Sequence, residues 1–128
     1  MATWSDIQAF ARSRYEVDEE EGSLALTATF TSGRTQKLTI RPYEALGARL
    51  IEFRAAVCRL KDLPPEEALR RNLSLPLGAL ALVDDIYVLV HRLPIENLDA
   101  NEFELPLNAL IRFADEMEST YSQGADEF

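Results

Sequence analysis

Residues 79–93 read Ala79-Leu80-Ala81-Leu82-Val83-Asp84-Asp85-Ile86-Tyr87-Val88-Leu89-Val90-His91-Arg92-Leu93. Two runs rich in β-branched and large apolar residues flank a pair of aspartates. Aspartate is disfavoured inside strands and accepted in tight turns, so the stretch predicts a hairpin with Asp84-Asp85 as its loop. Alternation then places Ala79, Ala81, Val83, Ile86, Val88 and Val90 on one face and Leu80, Leu82, Tyr87, Leu89 and His91 on the other. Both faces are apolar. Such a strand pair needs cover on both sides, with helices over one face and something else over the other.

On the C-terminal side of the hairpin the pattern changes period. Asp99 is placed as a helix cap with Glu102 three residues on, and Leu98 and Phe103 occupy the two positions of a hydrophobic staple. Phe103, Leu107, Leu110, Ala114, Met117 and Tyr121 follow on one face, which predicts a long helix packed on the sheet. Pro106 lies beyond the first turn and is expected to kink this helix or to mark where its regular part begins. Residues 122–128 are expected to fray as an acidic tail, leaving residues 1–121 as one domain.

On the N-terminal side, Pro64-Pro65 opens a short helix with Glu66 and Glu67 at its positive end and Arg70 and Arg71 at the other. Ala68, Leu69 and Leu73 form its apolar side. Residues 43–60 are ambiguous. Tyr43, Leu46, Leu50, Phe53, Val57 and Leu60 fit a helical stripe, while Ile51, Phe53, Ala55 and Val57 fit a strand face, and Gly47 weakens the helix. Leu24, Leu26, Ala28 and Phe30 alternate, as do Leu38 and Ile40, around Ser32-Gly33. Burial selects a register with Leu26 opposite Ile40 and Ala28 opposite Leu38, leaving Thr27, Thr29, Lys37 and Thr39 solvated. The acidic run Asp18-Glu19-Glu20-Glu21 reads as a solvated loop after a short strand at Tyr15–Asp18, and Thr3, with Asp6 three residues on, caps a first helix.

Composition narrows the function. The 128 residues hold 13 Lys plus Arg against 22 Asp plus Glu, a formal charge of −9, and 47% are hydrophobic. The acid excess and the lack of a basic run argue against nucleic acid and anionic membrane surfaces as partners. No apolar run approaches the roughly 18 residues of a spanning helix, and one cysteine, Cys58, allows no internal disulfide, so a soluble cytoplasmic protein is expected. Catalytic groups are scarce. Cys58 and the single histidine, His91, both fall inside strand patterns and read as a packed thiol and a strand-end imidazole. Residues 18–21 lack the ligand spacing of a calcium loop. Asp84 with Asp85, and Asp115 with Glu118, read as surface pairs. Phosphate-loop and nucleophile-elbow motifs are absent from the sequence, so neither a cofactor nor a metal is expected. What remains is apolar surface. The Leu80, Leu82, Tyr87, Leu89 face together with the Ala68, Leu69, Leu73 side of the short helix exceeds what two helices can hide, so either loops complete its cover or it meets a partner or a second copy.

The order helix, strands, short helix, hairpin, helix resembles the type III secretion chaperone-like fold, in particular its YbjN-type and Tir-chaperone-like bacterial members. The resemblance lies in Leu69-Arg70-Arg71-Asn72-Leu73, in Pro76-Leu77-Gly78-Ala79-Leu80-Ala81-Leu82 and in Val88-Leu89-Val90-His91-Arg92-Leu93-Pro94. It continues through Glu96-Asn97-Leu98-Asp99 to Ala114-Asp115-Glu116-Met117-Glu118. It implies an α+β fold, an antiparallel sheet with N- and C-terminal helices packed on it, and favours the strand reading of Ala48 to Leu60. It also implies a non-catalytic homodimer that holds a protein client, with Leu69, Leu73, Leu80, Leu82, Tyr87 and Leu89 as the expected contacts. The alternative is a YbjN-type small-molecule-binding or signalling regulator without a secretion client, in which the same apolar surface lines a closed pocket. An enzyme would need His91 or a carboxylate pair at the floor of a cleft.

Overall fold

The computed structural model describes residues 3–122 and 126–128. Its elements run α1 (Trp4–Arg14), β1 (Glu16–Glu20), β2 (Ser23–Thr29), β3 (Thr35–Ala45), β4 (Ala48–Arg59), a 3-10 turn at Leu60–Asp62, α2 (Pro65–Ser74), β5 (Ala79–Val83), β6 (Ile86–Pro94) and α3 (Ala100–Tyr121). The strands form one antiparallel sheet in the order β1-β2-β3-β4-β6-β5.

The sheet has one covered face and one open face. Leu24, Leu26, Leu38, Ile40, Ile51, Phe53, Ala55 and Leu89 pack as core beneath Ile7 and Ala11 of α1 and Phe103, Leu107, Leu110 and Ala114 of α3. The two helices meet each other as well: Phe10 meets Phe103 edge-on at 5.5 Å, Arg14 lies 3.5 Å from Glu104, and Tyr15 donates its hydroxyl proton to Asn108. Both expected capping boxes are present, Thr3 with Asp6 and Asp99 with Glu102, and Leu98 and Phe103 are buried as a staple requires. α3 starts ahead of Pro106 and continues beyond it, so the proline does not mark where the helix begins.

Residues 43–45 and 48–59 are strand, and Leu60 begins the 3-10 turn. The ambiguity over them dissolves at Leu46-Gly47, where φ is 55° and 73°, because a two-residue loop between Ala45 and Ala48 needs both angles positive. Gly47 is thus a turn glycine and not a weak point of a helix. Leu46 is fully exposed there and strained, since a leucine gains nothing from φ > 0. Leu46→Asn is therefore expected to raise stability by about 1 kcal/mol in urea denaturation, because asparagine tolerates this conformation and no contact is lost.

Two expectations require correction. The β2–β3 register places Leu24 opposite Ile40 and Leu26 opposite Leu38, two residues from the expected pairing. A slip of two keeps every side chain on its face, so burial cannot distinguish the registers. The loop decides it, with the Phe30 N–H donating to the Arg34 carbonyl at 2.8 Å and the Gly33 N–H to the Phe30 carbonyl at 2.9 Å. The acidic run is an edge strand and not a loop: Asp18, Glu19 and Glu20 pair with Ala25, Leu24 and Ser23. Carboxylates along an edge strand keep it from pairing with other chains, which is how a charged run can also be sheet.

Candidate protein-interaction surface

The six expected contact residues divide into two groups. Leu80, Tyr87 and Leu89 point to the helix-covered side and are core, with the Tyr87 hydroxyl donating to the Leu63 carbonyl at 2.8 Å. They present no surface to a partner. Leu69, Leu73 and Leu82 are 70%, 93% and 45% exposed. The uncovered face of the hairpin is the other one, where Ala79, Ala81 and Val83 are exposed and Val90 is half-buried. No helix lies over it.

Why α2 exposes two leucines follows from how it is held. Only Ala68 of this helix is buried, and the helix leans on β5. Asn72 fixes the contact: its carboxamide oxygen accepts from the Leu80 N–H at 2.6 Å, and its amide donates to the Leu80 carbonyl at 3.3 Å. Asn72 thereby takes the place of a neighbouring strand at the middle of an otherwise free sheet edge, which blocks continuous strand addition there. Once Asn72 and Ala68 face β5, Leu69 and Leu73, four residues apart, project together into solvent. Leu82 and Val83, on opposite faces of β5, are also exposed, at 45% and 40%.

The open face is cationic in its middle. Arg41, Arg54 and Arg92 rise from β3, β4 and β6 around one buried carboxylate, Glu52, and Lys37 stands further along β3. Arg54 and Arg41 donate to its Oε1 at 2.9 Å and 3.2 Å, and Arg92 to its Oε2 at 3.1 Å. Burial alone would raise the Glu52 carboxyl, but the Arg41 hydrogen bond and the Arg54, Arg41 and Arg92 interactions outweigh it and hold the group below the usual glutamate range. A carboxylate depressed in the fold stabilises at and above the ordinary glutamate range. That stability is lost as pH falls through the lowered value. Glu52→Gln is expected to cost about 2 kcal/mol near neutral pH, and the deficit should shrink in urea titrations at acid pH.

Cys58 and His91 do not converge. Cys58 lies opposite Tyr87 and His91 opposite Phe53 in the β4–β6 ladder, at separate positions along the strands. Burial pushes the Cys58 thiol up to about 11, which disfavours the nucleophilic thiolate at neutral pH. Burial also lowers His91, whose ring stacks on Phe53 at 6.3 Å. Asp84 and Asp85 are exposed turn residues. Glu118, expected at the surface, is instead fully buried, and Asp115 is half-buried. The reason is a cation from outside the helix: Arg34 reaches Asp115 at 3.0 Å and Glu118 at 3.6 Å. Asp115, Glu118 and Asp126 cluster closely, with the Arg34 guanidinium supplying positive charge beside them.

Two clefts flank Leu105 of α3. One, of about 440 Å³, is lined by His91, Leu93, Leu98 and Glu102, and the other, of about 520 Å³, by Tyr15, Phe30, Asn108 and Ile111. Among the described residues no helix is long and apolar enough to cross a membrane.

No protein-family model matches the chain, and no curated protein matches it. Its fold is similar to that of a chain in the solved HopA1–SchA chaperone–effector complex. The TM-score is 0.61 and the sequence identity 15%, over 87% of this chain and 88% of that one. The likeness establishes the fold: an α+β, secretion chaperone-like arrangement of a six-stranded antiparallel sheet under an N-terminal and a C-terminal helix.

Proposed function

We propose that the chain is a non-catalytic, chaperone-like module of the bacterial cytoplasm that works as a homodimer and holds a segment of a protein client. The carrying observation is the exposure of Leu69 and Leu73 on α2, together with that of Leu82 on β5. Leu69 and Leu73, held outward by a fixed helix, and Leu82 on the edge strand gain about 2 kcal/mol each when another protein covers them. The chaperone–effector neighbour supports a protein as that partner. The net charge of −9 keeps such a surface soluble and repels nucleic acid. Leu69, Leu73 and Leu82 point outward, and the two clefts above are lined by other residues, which favours a docking surface over the pocket of a YbjN-type small-molecule regulator.

A photo-crosslinking amino acid placed at position 73 in the native host tests the proposal. Adducts at the mass of a second copy or of a discrete client are expected. A chain that remains monomeric after irradiation contradicts it.

A further inference from the structure

Residues 126–128 cross from the α3 side of the molecule to the open face of the sheet. Asp126 accepts from the Thr35 N–H at 3.1 Å and lies 3.9 Å from Arg34. The backbone N–H groups of Glu127 and Phe128 both donate to Glu118 Oε2, at 2.6 Å and 2.8 Å, and the Glu127 carboxylate pairs with Arg59. Two main-chain donors thus satisfy Glu118 Oε2, and the Arg34 guanidinium lies 3.6 Å from Oε1, an arrangement that seats the segment over β3, β4 and β6. Beyond that latch, Glu127 and Phe128 wall a cavity of about 320 Å³ whose other walls are Lys37, Thr39, Arg54, Ala56 and Val88. The floor is apolar and the rim is cationic. An acidic residue followed by an aromatic one matches that chemistry, and the chain's own segment has this order. The space left between it and the sheet shows that it does not fill the site.

We propose that the open face from Lys37 to Val88 is a docking site for an acidic–aromatic segment of a partner protein, and that Asp126-Glu127-Phe128 occupies it as an internal competitor. A tethered competitor acts at an effective concentration of about 1 mM, so a free segment of equal quality binds weakly until the tether's side chain is removed. This surface lies apart from Leu69, Leu73 and Leu82, and the proposal does not depend on what covers them.

Fluorescence anisotropy with a labelled peptide of the chain's own residues 122–128 tests it on the 128-residue chain. Phe128→Ala, a change at a half-exposed position outside the core, is expected to bind the peptide at least tenfold more tightly than the wild type. Adding Lys37→Glu to that variant should abolish binding, and a peptide with alanine in place of its phenylalanine should not bind. Equal binding by wild type and Phe128→Ala, no binding by Phe128→Ala, or binding that survives Lys37→Glu would overturn the proposal.

Discussion

Replacing Leu69 with Glu and Leu73 with Lys in one chain is expected to weaken self-association at least 100-fold while leaving the far-ultraviolet circular dichroism of the protein unchanged. The pair is chosen so that the helix itself does not suffer. Glutamate four residues before lysine supports an exposed helix, and neither leucine contributes to the core, being 70% and 93% exposed. The loss falls on the interface. In the proposed homodimer, two leucines covered on each protomer would contribute about 1.5 kcal/mol apiece at the low end, and two-fold symmetry would count them twice, or about 6 kcal/mol in all. Since each 1.4 kcal/mol is tenfold, about half of that is enough for the expected change even before the cost of burying unpaired charge. Sedimentation velocity over a concentration series reads it directly. An unchanged dissociation constant would move the interface away from α2.

Phe53→Ala is expected to lose about 4 kcal/mol of folding stability in urea. Phe53 lies on β4 between Ile40 and His91 in the ladder, and none of it is exposed. Its ring sits 5.6 Å from Phe103 of α3 and 6.3 Å from His91, so it joins the sheet to the long helix at the centre of the molecule. Removing it empties a site whose walls are a β-ladder and a capped helix, neither of which can collapse inward without breaking hydrogen bonds. Domains of this size are stable by about 5–15 kcal/mol, so the variant should sit close to the unfolding threshold at 37 °C. A loss below about 1 kcal/mol would mean that the helix layer is not packed on β4 as described.

The elements bounded by strong local signals were legible in the residues alone. Asp99 with Glu102, Leu98 with Phe103 and the stripe to Tyr121 specify α3 through its own hydrogen bonds and one apolar face. Asp84-Asp85 specifies the β5–β6 hairpin because aspartate suits a turn, and Asp84 adopts φ 56° there. What escaped the residues was settled by groups distant in sequence. Periodicity left β4 open because Gly47 reads as a helix defect until a partner strand makes it a turn. Asp18 to Glu20 read as loop because pairing with β2 is a property of the edge and not of the run.

The contact surface was half legible. Both faces of the β5–β6 hairpin are apolar in sequence, and alternation cannot say which one the helices choose. The helices cover the larger side chains, so Leu80, Tyr87 and Leu89 became core and the smaller Ala79, Ala81 and Val83 remained outside. Leu69 and Leu73 stayed exposed because Asn72, between them on the helix, spends both its polar groups on Leu80. Glu118 is the converse case. Its burial depends on Arg34 and on the main chain at Glu127 and Phe128, far apart in the chain, and no local pattern announces it.

Sedimentation equilibrium of the unmodified 128-residue chain across the micromolar range bears most directly on the proposed role. A single species of twice the chain mass, dissociating only on dilution and abolished by the Leu69→Glu and Leu73→Lys pair, is the expected result. A monomer at every concentration, with Leu69 and Leu73 as reactive to a surface-labelling radical as they are in the variant-free unfolded chain, would contradict it.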